Sequence, residues 1–139
     1  CQQKKGIRIH AWCIMSSHLH LIISSKKNKL SGIMRDFKTY TNQEIVKELS
    51  DGNDSRRKWI IELFKNEADE IKRVKKCKVW QDGNHPVLLD TNKMIDDRLN
   101  YVHQNPVEQG LVYKAEDYVY SSAIDYFGGK GLLDIEMID

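Results

Sequence analysis

Two histidines separated by one residue, His18 and His20, are the side chains of this sequence best suited to hold a metal ion. A β-strand advances about 3.3 Å per residue with side chains on alternate sides, so the two histidines would share one face, roughly 6 to 7 Å apart at the backbone. Their imidazoles could then converge on one divalent ion as neutral nitrogen ligands. Exposed strand histidines that bind no metal have the same spacing, so the pair alone leaves both interpretations open.

Basic residues form three runs that could bind phosphate groups, although the net charge is only +2. A charge this small does not by itself indicate a polyanionic partner. The alternative for each run is a solvated face with no partner. The runs comprise Lys26, Lys27 and Lys29; Arg56, Arg57 and Lys58; and Lys72, Arg73, Lys75, Lys76 and Lys78.

Length and composition favour one domain over residues 1–139 in a reducing, cytoplasmic setting. Hydrophobic residues make up 40% of the chain and charged residues 30%, which is a globular balance, and no apolar window is long enough for a membrane span. Three cysteines without CxxC spacing indicate neither a disulfide framework nor a structural zinc site. The chain starts at Cys1 and runs almost directly into a strand-like segment, so we expect it to be shortened at its N-terminus.

The histidines belong to the second arm of a predicted β-hairpin. Residues 7–15 and 18–24 alternate in polarity, and Ser16 and Ser17 can form the connection. We expect Leu19, Leu21 and Ile23 to face the core with the alternate residues of the first strand. The opposite face, with Trp12 and His10, would then present both histidines to solvent or substrate.

Helical periodicity accounts for most of the remaining chain. It predicts a helix over 30–49, a second one capped by Asp54 or Ser55 with Trp59 and Leu63 in its buried stripe, and a third over 91–104. The third helix would be capped by Asp90 or Thr91 and end at Asn105-Pro106. Residues 77–81 are predicted as a short strand, and 120–127 as a final short helix.

Four segments resemble the REP-associated tyrosine transposases, a branch of the IS200-like, single-tyrosine HUH transposases. LNYVHQNPVEQGLV (99–112) resembles the family signature and MSSHLHLI (15–22) its HUH motif, while VWQDGNH (79–85) and AEDYVYSSAIDY (115–126) resemble two further segments. The resemblance implies an α+β, ferredoxin-like (RRM-like) antiparallel sheet with helices packed on one face. It also implies Tyr101 as catalytic nucleophile, His18 and His20 as ligands, and Mg²⁺ or Mn²⁺ as cofactor. Family members usually carry a further N-terminal strand and helix, which we expect to be missing here.

The predicted third helix adds Asn105 to the candidate ligands. Residues four apart lie on one helix face, so Tyr101 and Asn105 can point at the same metal-bound phosphate, and an amide oxygen suits Mg²⁺. Alternatively, Tyr101 is a packing residue with a satisfied hydroxyl, and Asn105 only ends the helix before Pro106. His103 would point away from Tyr101 and be structural or exposed.

The resemblance implies single-stranded or hairpin DNA as partner, in a bacterial cytoplasm and associated with the nucleoid, and leaves a homodimer open. The function it implies is metal-dependent cleavage and rejoining through a 5′-phosphotyrosine. The alternatives are a non-catalytic single-stranded nucleic-acid-binding module or an inactive, truncated remnant. We assign DNA contacts to Lys26, Lys27, Lys75, Lys76 and Lys78, to Trp80 by base stacking, and to Gln81 and His85.

Overall fold

The structure is a computed structural model that describes residues 2, 6–26, 29–53, 55–69 and 77–138. Lys27, Lys75 and Lys76, three of the candidate DNA contacts, lie outside these ranges. The chain divides into two compact units, Cys1–Leu30 with Val87–Asp139, and Ser31–Pro86. The expected mixture of helices and an antiparallel sheet is confirmed. None of the helices in the described ranges has the length and apolar character needed to cross a membrane.

In the first unit, the predicted hairpin is confirmed as strands β1 (Ile7–Ile14) and β2 (Leu19–Ser25), which pair antiparallel. The amide of Met15 donates to the carbonyl of His18 at 2.9 Å and closes the turn through Ser16 and Ser17. This short connection places His18 at the end of the hairpin and His20 one residue inside β2.

A β-bulge at His10 overturns the predicted assignment of faces. Ile9 lies opposite Ile23 but Ala11 lies opposite Ile22, so His10 has no counterpart on β2. Side chains alternate along each strand. The extra residue therefore turns Ala11 and the residues after it toward the face of β2 that carries Ile22, and not toward the face that carries Leu21, as expected. The buried face therefore includes Ala11, Cys13, Met15 and Ile22, which cluster with Val102.

His20 consequently lies on the helix-packed face of the hairpin and not on an open one, since it pairs with Cys13. Leu19 and Leu21, expected in the core, are only half-buried. Trp12, expected on the open face, is 2% exposed and therefore belongs to the core.

Helix α3 (Asn92–Glu108) packs against this face and carries Tyr101. The predicted cap at Thr91 is confirmed, because its side chain accepts a hydrogen bond from the Met94 amide at 3.3 Å. The predicted end at Asn105 is wrong, since Pro106 lies inside the helix. The helix instead ends where Gly110 adopts a left-handed φ of 70° and the Leu111 amide donates to the Pro106 carbonyl at 2.8 Å.

The C-terminal part of this unit runs along the other edge of β1. The amide of Ile14 donates to Tyr120 O, and that of Ser122 donates to Trp12 O, each at 2.9 Å. A 3₁₀ turn (Ala115–Asp117) and the short helix α4 (Ala123–Tyr126) flank this contact. The predicted helix within 120–127 is thus confirmed.

The second unit contains helix α1 (Leu30–Asp51), apart from its first residue, and helix α2 (Arg57–Asp69). Both were predicted, but α2 begins later than expected, and Trp59 and Leu63 are exposed rather than buried. Residues 77–81 form no strand. The Asn42 side chain takes the place of a neighbouring strand, because its Nδ2 donates to Cys77 O at 3.2 Å and its Oδ1 accepts from the Val79 amide at 2.8 Å.

Candidate active site

The hairpin and helix α3 place His18, His20 and Tyr101 side by side in the first unit. The ring centroids of His18 and His20 are 4.7 Å apart with the planes nearly perpendicular. The centroids of His20 and Tyr101 are 5.3 Å apart, again edge to face. Residues separated by more than eighty positions in the sequence therefore form one continuous row, with His20 in the middle.

One ring nitrogen of His20 is buried and makes no hydrogen bond in the part of the chain that the structure describes. Its Nε2 is inaccessible to solvent and has no hydrogen-bond partner among the described residues. Leaving a buried polar atom unpaired costs about 1 to 3 kcal/mol, so such an atom calls for an explanation. A ligand that accepts the nitrogen lone pair would provide one.

The surroundings of His20 favour its neutral form. Burial lowers the pKa of the imidazole, and the charge of His18 lowers it further, while the nearby Asn105 amide opposes both by raising it. A neutral imidazole keeps a lone pair free for a metal ion near neutral pH.

His18 offers a second nitrogen from an exposed position. The Ser17 hydroxyl lies 3.2 Å from its Nδ1, within hydrogen-bonding distance. That contact fixes one side of the ring and leaves Nε2 as the nitrogen available for a ligand.

Among the residues that the structure describes, Tyr101 is not a packing residue with a satisfied hydroxyl, and Asn105 does not end the helix, which were the structural alternatives for these two residues. Tyr101 is 43% exposed, and its hydroxyl makes no hydrogen bond within the described part of the chain. Asn105 is 6% exposed, and its Nδ2 donates to the Tyr101 carbonyl at 3.0 Å. This bond engages the amide nitrogen, and the Asn105 side chain also interacts with His20. Oδ1 is the atom that would act as a metal ligand. Both residues lie on one face of α3, one turn apart.

The donor chemistry of these residues fits a small divalent cation. In the ranges that the structure covers, no group of three His, Cys, Asp or Glu side chains could hold a metal. The candidate set instead combines two imidazoles with one amide oxygen, and water or phosphate oxygens would complete the shell of Mg²⁺ or Mn²⁺. His10 is not part of the set, because Glu136 O and Ser24 Oγ each lie 2.7 Å from one of its ring nitrogens.

The structure describes five further residues of the predicted site. Lys26 follows β2 in the first unit and is exposed. Lys78, Trp80, Gln81 and His85 belong to the second unit.

Two of these second-unit side chains are engaged within their own unit. Trp80 is half-buried, donates from Nε1 to Thr41 Oγ1 at 2.8 Å, and packs on Phe37 with the ring centroids 5.8 Å apart. Lys78, expected at the surface, has a side chain only 13% exposed and pairs with Asp82 at 3.0 Å. Gln81 and His85 are exposed.

A buried hydrogen-bond network lies behind α3. The sequence predicted a structural role for His103, one of its members, but not the network itself. His103 is 6% exposed, and its Nε2 lies 2.9 Å from the Ser122 hydroxyl. Ser122 Oγ in turn accepts from the Trp12 amide at 2.9 Å, so the network joins the tyrosine helix to β1. Burial lowers the pKa of His103 to about 4. Ser122 lies in the segment AEDYVYSSAIDY, which was the only signal for it.

Comparisons with known proteins agree with the resemblance drawn from the motifs. A family model described as "Transposase IS200 like" matches residues 1–67, which include both site histidines. The chain is also 26% identical over 114 residues to a Haemophilus influenzae protein named as a REP-associated tyrosine transposase. That alignment covers 81% of this chain and 56% of the relative, so the chain spans just over half the relative's length. No solved structure matches.

Proposed function

We propose that this chain, which is similar to the IS200-like transposases, cleaves and rejoins single-stranded DNA with Tyr101 as the nucleophile. His18, His20 and Asn105 would hold a divalent cation, Mg²⁺ or Mn²⁺. One observation supports this proposal above the others. The unpartnered, buried Nε2 of His20 lies in a row between a second imidazole and an exposed tyrosine.

The proposed step is a phosphoryl transfer. The phenolic oxygen of Tyr101 attacks the phosphorus in line, so a bond forms between the tyrosine oxygen and phosphorus and the bond from phosphorus to the 3′ oxygen breaks. The phenolic proton is lost to solvent, and the departing oxygen takes up a proton to become a 3′-hydroxyl. The protein is left bound through a 5′-phosphotyrosine. Attack by a 3′-hydroxyl reverses the step and joins strands without a nucleotide cofactor.

A bound divalent cation would polarise a non-bridging oxygen of the scissile phosphate. The chain's own contribution is positional. Burial keeps His20 neutral, the Ser17 contact orients His18, and the bond from Asn105 to the Tyr101 carbonyl fixes the amide on the nucleophile's own turn of helix. Tyr101 is 43% exposed, so a DNA strand could approach its side chain.

Single-stranded or hairpin DNA is the substrate we propose, in the bacterial cytoplasm at the nucleoid, and the enzyme would act as a monomer or homodimer. An unpaired backbone can approach a row of side chains between a hairpin and a helix, whereas both strands of a duplex compete for that space. The exposed Lys26, one residue beyond β2, would contact phosphate. We also propose that the hairpin packed on α3 is part of a ferredoxin-like sheet and that residues 1–139 act as one domain.

The polarity of the covalent product tests the proposal. The protein is incubated with Mn²⁺ and a hairpin oligonucleotide labelled at either its 3′ or its 5′ end. A 5′-phosphotyrosine places the protein on the downstream fragment, so only the 3′ label should migrate with the protein on a denaturing gel. EDTA should abolish this band. Binding without any adduct under these conditions would instead support a non-catalytic binding module, and an adduct with the 5′ label would reverse the assigned chemistry.

A further inference from the structure

A shallow groove on helix α3 begins at Met94, about two turns before Tyr101. Met94, Asp97, Arg98 and Tyr101 line a volume of about 330 Å³ that is open to solvent. The groove shares Tyr101 with the candidate active site but contains none of the proposed metal ligands. It therefore extends the site along the helix, toward its N-terminus.

The charged group of Arg98 is uncommitted. Its guanidinium carbon lies 5.7 Å from the centre of the Tyr101 ring, and it forms no ion pair or hydrogen bond with any residue in the described ranges. The adjacent carboxylate is already paired, because Asp97 lies 2.9 Å from Lys93 Nζ. An exposed guanidinium that contacts the ring of a candidate nucleophile, and that has no ion-pair or hydrogen-bond partner in the described ranges, is available to an anionic ligand.

We propose that Arg98 binds a backbone phosphate of the DNA strand adjoining the phosphate that Tyr101 attacks. This inference rests on the proposed function. The planar fork of a guanidinium matches two phosphate oxygens, and a charge-assisted bond of this kind gives both affinity and orientation. Met94 supplies an apolar wall for the sugar or base of the same nucleotide. Arg98 is thus a positioning residue that fixes the strand without touching the reacting atoms.

The salt dependence of binding distinguishes a phosphate contact from a packing role. Binding of a fluorescent single-stranded oligonucleotide is measured by anisotropy in EDTA, so that no cleavage occurs. Each neutralised phosphate of a single strand contributes about 0.7 to the slope of log affinity against log salt. Arg98→Gln should lower the slope by about 0.7 and weaken binding at low salt by about tenfold, the loss expected for one charged hydrogen bond. Arg98→Lys should restore the slope and part of the affinity.

The matched control is Lys114→Gln, which removes the same charge from an exposed residue of the same unit, beyond the other end of α3. Its slope should equal that of the wild type, and all variants should melt at the same temperature because both side chains are exposed. An unchanged slope in Arg98→Gln, or an equal drop in Lys114→Gln, would overturn the inference. Adduct formation with Mn²⁺ is measured separately. A wild-type protein that binds DNA but never forms an adduct would refute Tyr101 as the nucleophile. The salt dependence of binding would still test the phosphate contact of Arg98.

Discussion

Acidification should destabilise the protein through His103, which is buried behind the tyrosine helix. Burial lowers its pKa to about 4, against an ordinary value of 6.5, and the charge of Asp125 only partly opposes this. The folded state therefore binds fewer protons than the unfolded chain between these two values. The contribution of the neutral, buried His103 to the free energy of unfolding is fully present above pH 6.5. It is lost as the pH falls from 6.5 toward 4.

The size of the effect follows from the two pKa values. A separation of about 2.5 units corresponds to about 3 kcal/mol when the loss is complete, at 1.36 kcal/mol per unit. By pH 5 the chain should have lost about 2 kcal/mol relative to pH 8 from this residue alone. This is a sizeable part of the roughly 5 to 15 kcal/mol that stabilises a typical domain.

Urea unfolding of the metal-free protein at pH 8 and pH 5 measures this loss. His103→Gln keeps a polar group that can bond to Ser122 but does not titrate. The variant should be less stable at pH 8, and its stability should depend less on pH, by about 2 kcal/mol over the same interval. Other groups, His20 included, titrate alike in both proteins and cancel in the comparison. Equal pH dependence in wild type and variant would refute the assignment of a neutral, buried His103.

Two further substitutions test the site and its supporting helix. His20→Ala should abolish metal-dependent cleavage at limiting Mn²⁺ while circular dichroism shows a preserved fold, because a weakly bound ion loses one of its strand ligands; full cleavage would remove His20 from the site. Gly110→Ala should lower the unfolding free energy by about 1 to 2 kcal/mol in urea titrations, since alanine is strained at the φ of 70° that ends α3. The matched change Gly32→Ala, in α1 with open space around the new methyl group, should be neutral or stabilising by up to about 1 kcal/mol, and an equal loss in both would contradict the role given to the backbone of Gly110.

Local periodicity was sufficient to predict the hairpin and the helices, because each of these patterns depends on near neighbours. The faces of the hairpin were not predictable in this way. One extra residue at His10 reverses the faces of the two strands relative to each other, and no local signal marks it. The prediction therefore had the histidine pair on an open face, whereas His20 lies on the face that meets α3.

Other errors arose where tertiary contacts replace a local rule. Asn42 bonds to the backbone of residues 77–79 and so removes the need for a strand there. Pro106 does not end α3. Proline lacks an amide hydrogen, but here this removes only one hydrogen bond, close to the C-terminus of the helix, where the turn at Gly110 ends it. Trp59 has the spacing of a core residue but is exposed, because spacing alone does not specify what covers a helix face.

For the candidate site, the motifs predicted a set of candidate residues, but only the fold shows that three of them adjoin. His20 and Tyr101 are brought to 5.3 Å between ring centroids by packing of α3 on the hairpin. Arg98, the phosphate contact that we propose, lies outside the motifs, although its position three residues before Tyr101 on a helix was a usable signal.

The most direct test of the account is adduct formation by Tyr101→Phe. The change removes only the hydroxyl, and because that oxygen makes no hydrogen bond in the described part of the chain, the melting temperature should not move. Tyr113→Phe is the matched control, since Tyr113 is 99% exposed in the same unit. With a 3′-labelled DNA hairpin and Mn²⁺, wild type and Tyr113→Phe should form the covalent band, and Tyr101→Phe should bind the DNA within a few fold of wild type but form none. A covalent band that persists in Tyr101→Phe would contradict the proposal that Tyr101 is the nucleophile.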